Sequence, residues 1–292
     1  MNRASAGWWF SLPALLLIAV FFLLPVVAAL LLSFTDFDLY ALADPTNLRF
    51  IGFDNYRTLL VTPIFWQALG NTAEFVVLGV PLSLLASLGA ALLLDSRLAR
   101  FKPLLRTALF APVVTTLVAV ALIWRYLLHT RYGLFNDLLT HLGIHPVNWL
   151  GDPHWSMPSI VLLAVWKNFG YNMIILLAAL QAIPEDLYDA ARMEGAGGWA
   201  RLRHVTLPML APTLALVAIV TVSGYFQLFA EPYVMTQGGP LQSTVSVLYY
   251  MFEQGFSWWK LGFASSIAFV LFALVLLFTA LQLRLTRRLG QA

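Results

Sequence analysis

The fold class that this sequence predicts is an all-α, polytopic membrane protein with six transmembrane helices. Three observations predict it. Apolar residues fill 60% of the 292 positions and charged residues only 11%, against about 25% charged in an ordinary soluble domain. Long apolar runs recur along the chain, each near the length that crosses a hydrocarbon core of about 30 Å. The basic residues concentrate in alternate linkers, an asymmetry expected of a polytopic protein. Several spans fold as one bundle, so residues 1–292 read as a single membrane domain.

The first apolar run is Trp8 to Phe34. It is far longer than the apolar stretch of about 7–15 residues in a signal peptide, and no clear small-x-small site ends it. It reads as a retained span over 8–34. Residues 35–67 are polar and turn-rich, with Asp36, Asp38, Asp44 and Asp54 against Arg49 and Arg57. The second span covers 68–94 and contains Asn71, Glu74 and Pro81. A basic linker with Arg97, Arg100, Lys102 and Arg106 leads to a third span over 107–128, with Pro112 in its first turns. The fourth span, 159–183, contains Lys167. A loop of mixed polarity, 184–208, precedes the fifth span at 210–229. The sixth span is 261–283, followed by a tail with Arg284, Arg287 and Arg288.

Six spans leave both termini on one side. The amino end with Arg3, the linkers after spans two and four, and the tail hold eleven Lys and Arg residues. The opposite loops hold five: Arg49, Arg57, Arg125, Arg131 and Lys260. The positive-inside bias then makes both termini and the loop 184–208 cytoplasmic.

Composition also excludes. The chain has no cysteine, hence no disulfide framework and no thiolate metal site. A formal charge of +3 is too small to suggest nucleic acid. His129, His141, His145 and His154 share one outer loop without metal-ligand spacing and read as solvated residues. No metal site, no protease or glycosidase constellation and no G-x4-G-K-[ST] nucleotide loop is found, so no catalytic residue is assigned.

The stretch from Ile183, IPEDLYDAARMEGAGGWARLRHVTLPMLAP, mixes charge and apolar residues at helical spacing. Pro184 with Glu185, Asp186 and Asp189 signals a helix start. Gly195, Gly197 and Gly198 break that helix, and spacing resumes from Trp199 to Val205, with Pro208 at the start of the next apolar run. Each helix is too short to be stable alone. On periodicity alone the stretch is equally an amphipathic linker on the membrane surface.

The spacing goes further. Asp189-Ala190-Ala191, three residues, Gly195, nine residues, Val205, one residue, then Leu207-Pro208 resembles the EAA coupling loop of ABC importer permeases, E-A-A-x3-G-x9-I-x-L-P. Asp189 replaces the usual Glu, and Glu194 the usual Asp before the glycine; both keep the charge. The resemblance spans nearly the whole chain. Phe50 to Tyr56 is similar to the first outer loop of the family. Arg106 to Pro112, with Trp124 and Gly133-Leu134-Phe135-Asn136, resembles the third span and its loop. Trp166 to Tyr171 and Ala179 to Pro184 resemble the fourth span, and Thr236 to Pro240 with Ser243-Thr244 a later outer loop. Together they resemble the maltose/glycerol-3-phosphate branch of carbohydrate importers.

The resemblance implies a transport subunit in a bacterial or archaeal cytoplasmic membrane, not an enzyme. It implies a second homologous permease, two ATP-binding subunits and an external solute-binding protein. ATP and Mg would sit on the ATPases, with no cofactor on this chain. Gly195 would form the turn, Asp189 and Glu194 the polar contacts, and Ala190 and Ala191 the close approach. Val205, Leu207 and Pro208 would set the start of the fifth span.

Polar groups inside a membrane are expensive and usually face an interior. Lys167, Asn168, Tyr171 and Asn172 cluster in the fourth span, and Thr221, Gly224, Tyr225, Gln227 and Leu228 in the fifth. Rings beside amides and hydroxyls suit a sugar, and the resemblance implies that these spans contact substrate. Tyr171 and Tyr225 are equally readable as helix-packing residues and Asn168 as interhelical glue. The Lys167 ammonium suits an anionic substrate such as glycerol-3-phosphate. A stand-alone secondary transporter would need inverted repeats and mid-membrane carboxylates. Glu74 is the one carboxylate within an expected span.

Overall fold

The structure is a computed structural model that describes residues 3–96 and 99–289. Arg97 lies outside the described residues, as do the side chains of Arg3, Arg287 and Arg288. The chain divides into two compact units, Met1–Trp66 with Tyr250–Ala273, and Gln67–Tyr249 with Leu274–Ala292. By length and composition, five helices can cross a membrane, or six if one bent pair counts as a single span.

The first unit opens with the apolar helix Phe10–Leu32, whose most apolar stretch has none of its residues buried. A π-turn, Ala19–Leu23, interrupts it just before Pro25. Proline lacks the N–H that would bond four residues back, and its ring crowds that carbonyl, so the turn widens. Thr35 and Phe50 form an isolated antiparallel bridge, closed by an Arg49–Asp36 ion pair at 2.8 Å. Asp38 caps the helix Leu39–Ala43 by accepting from the N–H groups of Tyr40 and Ala41.

The motif around Gly52 has a structural explanation here. Gly52 takes φ +60°, which admits the turn into the helix Asp54–Val61. The buried Asn55 amide then donates to the carbonyls of Ser33 at 2.9 Å and Thr35 at 2.8 Å. Those carbonyls end the first span, where no helical partner is left for them. Asn55→Ala is expected to orphan both and lower stability by about 1–3 kcal/mol, read as a fall in the detergent melting midpoint.

In the second unit the helix Pro63–Asp95 continues from Gln67. The continuous third span expected over 107–128 is instead two helices, Lys102–Val114 and Leu117–Leu127, bent by 100°. Thr115 and Thr116 between them are extended. The Thr115 hydroxyl donates to the Pro112 carbonyl at 2.6 Å. Such local side-chain bonding competes with the helical ladder. The fourth span, Pro153–Gln181, is the most buried of the candidates. Its start is capped by Asp152, whose carboxyl the N–H and ring of His154 hold below the usual carboxylate range.

Met173, Leu176, Leu177 and Leu180 of the fourth span form a core with Ala91, Leu94, Leu210 and Val217. At Gly170 an added Cβ would collide with the Leu109 carbonyl, so glycine permits the close approach of the third and fourth spans. The fifth span runs unbroken through Gly198–Tyr225, longer at its start than the expected 210–229. A π-turn at Leu202–Thr206 precedes Pro208, by the same loss of an N–H. The sixth apolar helix is Leu261–Leu289.

Candidate functional site

A cavity of about 280 Å³ opens between the second, third, fourth and fifth spans. Asn168, Tyr171 and Asn172 line it from the fourth span, and Thr221, Gly224 and Tyr225 from the fifth. Gln227 and Leu228, just beyond that helix, complete the set expected from sequence. Lys167 is the exception. It does not line the cavity; its Nζ donates to the Val113 carbonyl at 2.9 Å. That carbonyl ends the first half of the broken third span, so the ammonium satisfies a group that the bend leaves without its helical partner.

The lining divides into structural and free groups. Asn172 Nδ2 donates to Thr221 Oγ1 at 2.9 Å, and Thr221 donates on to the Val217 carbonyl at 2.7 Å. This chain joins the fourth and fifth spans. Tyr225 stacks on Phe75 of the second span, with ring centroids 4.9 Å apart. Its hydroxyl and that of Ser83 are buried, and neither has a partner of good hydrogen-bond geometry among the described residues. Tyr171 is half exposed.

Sequence reasoning missed Phe75, Val113, Val220 and Glu231, which also line the cavity. Glu231 sits in the short helix Ala230–Met235, after the fifth span, and is buried. That helix packs on the second half of the third span. Glu74, in contrast, is exposed on the second span. Gly79 has a clear role beside the cavity, because a Cβ there would collide with the Tyr225 ring. Gly79→Val is expected to push Tyr225 off Phe75 and cut transport at least about tenfold, in an uptake assay with expression matched.

The loop from Pro184 has the expected helix and glycine turn, but its second helix is not a separate short one: it runs on into the fifth span. Helix Glu185–Met193 carries its acids in the first turn and Arg192 in the last, matching the helix dipole. Asp189 pairs with Arg192. Gly195 adopts φ +82°, and the N–H groups of Gly195 and Ala196 return to the carbonyls of Arg192 and Ala191, closing the helix end. Ala190, Glu194, Gly195 and Pro208 are exposed, and Ala191, Val205 and Leu207 are half-buried. Tyr188 Oη and Thr206 Oγ1, 3.1 Å apart, tie the first helix to the start of the fifth span. Met193 and Trp199 are exposed apolar side chains beside the turn, 90% and 72% accessible.

His129 stacks on Tyr132, while His141 and His154 face Asp137 and Asp152. No cluster of metal-ligating residues occurs among the described residues.

The model of the family described as "Binding-protein-dependent transport system inner membrane component" matches residues 3–291. The chain belongs to this family. The permease is 36% identical over 281 residues to the lactose transport system permease protein LacF of Rhizobium radiobacter, covering 94% of this chain and 92% of that protein. It is 35% identical over 275 residues to the sulfoquinovosyl glycerol transport system permease protein SmoG of Agrobacterium fabrum, covering 94% and 88%. It is 34% identical over 286 residues to the trehalose/maltose transport system permease protein MalF of Thermococcus litoralis, covering 98% and 95%. The fold matches a chain of a bacterial ABC transporter that imports the acidic polysaccharide alginate, with TM-score 0.81 at 22% identity, covering 98% and 96%. The permease is therefore a membrane transport subunit, and its helical architecture is that of ABC transporter permeases.

Proposed function

We propose that this permease forms part of the carbohydrate path of an ATP-driven importer and is driven through the loop 184–208. The cavity between the fourth and fifth spans carries the reading. Stacked rings beside amides and a carboxyl suit a solute with apolar CH faces and many hydroxyls. The relatives named for lactose and trehalose/maltose support the same solute class.

ATP and Mg belong to two separate ATP-binding subunits, and this chain hydrolyses nothing. A second, homologous permease completes the path, and an external solute-binding protein delivers the sugar. The chain lies in the inner or cytoplasmic membrane of a bacterium or archaeon, with both termini cytoplasmic. The exposed turn at Gly195, with Met193 and Trp199, seats in a cleft of the ATPase. Asp189, Ala190 and Ala191 lie on the seated helix, and Val205, Leu207 and Pro208 carry the motion into the fifth span.

The test is a tagged preparation from native membranes combined with crosslinking from Ala191→Cys. A crosslinked ATP-hydrolysing subunit, with sugar uptake by the same complex in proteoliposomes, is the expected result. Uptake by this chain alone under an ion gradient would overturn the proposal.

A further inference from the structure

The cavity has one acidic residue in its lining and no basic one. Glu231 is that residue, and only 9% of it is accessible. The nearby cation, Lys167, is not itself in the lining; its ammonium donates to the backbone carbonyl of the lining residue Val113. Glu231 forms no ion pair within 4.0 Å among the described residues, although Lys167 still acts on it at longer range. Of these two opposite charges only the acidic side chain is part of the cavity lining, while the cation is engaged by a backbone carbonyl.

From this placement we infer that Glu231 is a specificity-determining residue that sets the cavity for uncharged sugars over anionic ones. The inference rests on the reading of the cavity as a carbohydrate path and deepens it. A carboxyl group has two states. As a carboxylate it accepts hydrogen bonds from sugar hydroxyls and repels a carboxylate, sulfonate or phosphate placed beside it in a poorly solvated space. As an acid it has one O–H to donate, to a hydroxyl or to an anion alike, but no positive charge to balance an anion. Neither state supplies a positive charge for a negative solute, and the carboxylate state repels one, so discrimination arises from a repulsive element built into the site. Membership of the family leaves the solute's charge open, and this side chain decides it. The Asn168 and Gln227 amides, also in the lining, are neutral and serve either solute equally.

The test uses the whole complex in nanodiscs, without the binding protein, so that only the membrane cavity selects. Saturation-transfer NMR measures three matched pairs of probes: glucose and glucuronate, lactose and lactobionate, maltotriose and its aldonate. The neutral member of the best-bound pair is expected to bind at least about tenfold more tightly, and Glu231→Gln to shrink that ratio at least about threefold. Glu231→Ser serves as a second charge-free variant should the first fail to assemble. Equal or tighter binding of the anionic member overturns the inference and leaves the carbohydrate path standing. A ratio unmoved by removal of the charge overturns the role of Glu231. Absence of binding by both members of every pair overturns the carbohydrate path itself, and the inference falls with it.

Discussion

Gly195→Val is expected to cut sugar uptake and sugar-stimulated ATP hydrolysis of the assembled complex at least about tenfold, within the range of coupling energies between linked sites. The structural grounds are specific. Gly195 holds φ +82°, in the left-handed region that a β-branched residue strongly resists. An added Cβ meets no atom within 4 Å, so the penalty is conformational and not a clash. That penalty is about 1–2 kcal/mol locally, too little to unfold the protein but enough to reshape an exposed turn. The variant should therefore insert and keep nearly the same melting midpoint while losing drive. Gly195→Asn separates the causes, because asparagine tolerates this conformation and should retain most of the uptake. Normal uptake by the valine variant would remove the turn from the coupling path.

The second large effect is expected at Lys167. Replacing it with methionine keeps an unbranched side chain, one heavy atom shorter, but leaves the Val113 carbonyl orphaned, at about 1–3 kcal/mol. It also strips the buried Glu231 of its nearby positive charge, which adds to the loss. The melting midpoint of Lys167→Met should fall clearly below that of Lys167→Arg, which keeps a donor. The double variant Lys167→Met with Glu231→Gln should recover the share due to the bare carboxyl and not the share due to the carbonyl. A single variant as stable as the parent would mean that the bend at Thr115 and Thr116 holds itself.

The apolar runs were legible because hydropathy over about 20 residues reports directly on what a bilayer accepts. The cavity residues of the fourth and fifth spans were legible for a related reason. Asn168, Tyr171, Thr221 and Tyr225 stand out against lipid-facing neighbours at helical spacing, and polar groups there turn inward. The bend in the third span was not legible. Its cause lies in two threonines that fit a continuous helix just as well, and its support comes from Lys167, whose partner is a backbone carbonyl that no side-chain pattern records. Glu231 was hidden by its place after the fifth span, where an acidic residue reads as solvated. Packing of the helix Ala230–Met235 against the Leu117–Leu127 half brings it back inside. The loop was readable because a glycine at fixed spacing from charged and proline residues encodes a backbone shape in the sequence itself.

The fifth span begins within the loop: Gly198–Tyr225 is a single rod of 28 residues, about 42 Å at 1.5 Å per residue. One end carries Trp199 and the other carries Tyr225 against Phe75. On the proposed coupling, displacement of the first end would reach the second along one continuous helix. The helical ladder along it is interrupted at the widened turn Leu202–Thr206 and at Pro212. On that reading the stiffness at these two places would set how much of each stroke arrives at the ring pair, and straightening the widened turn would alter the gearing without touching either end.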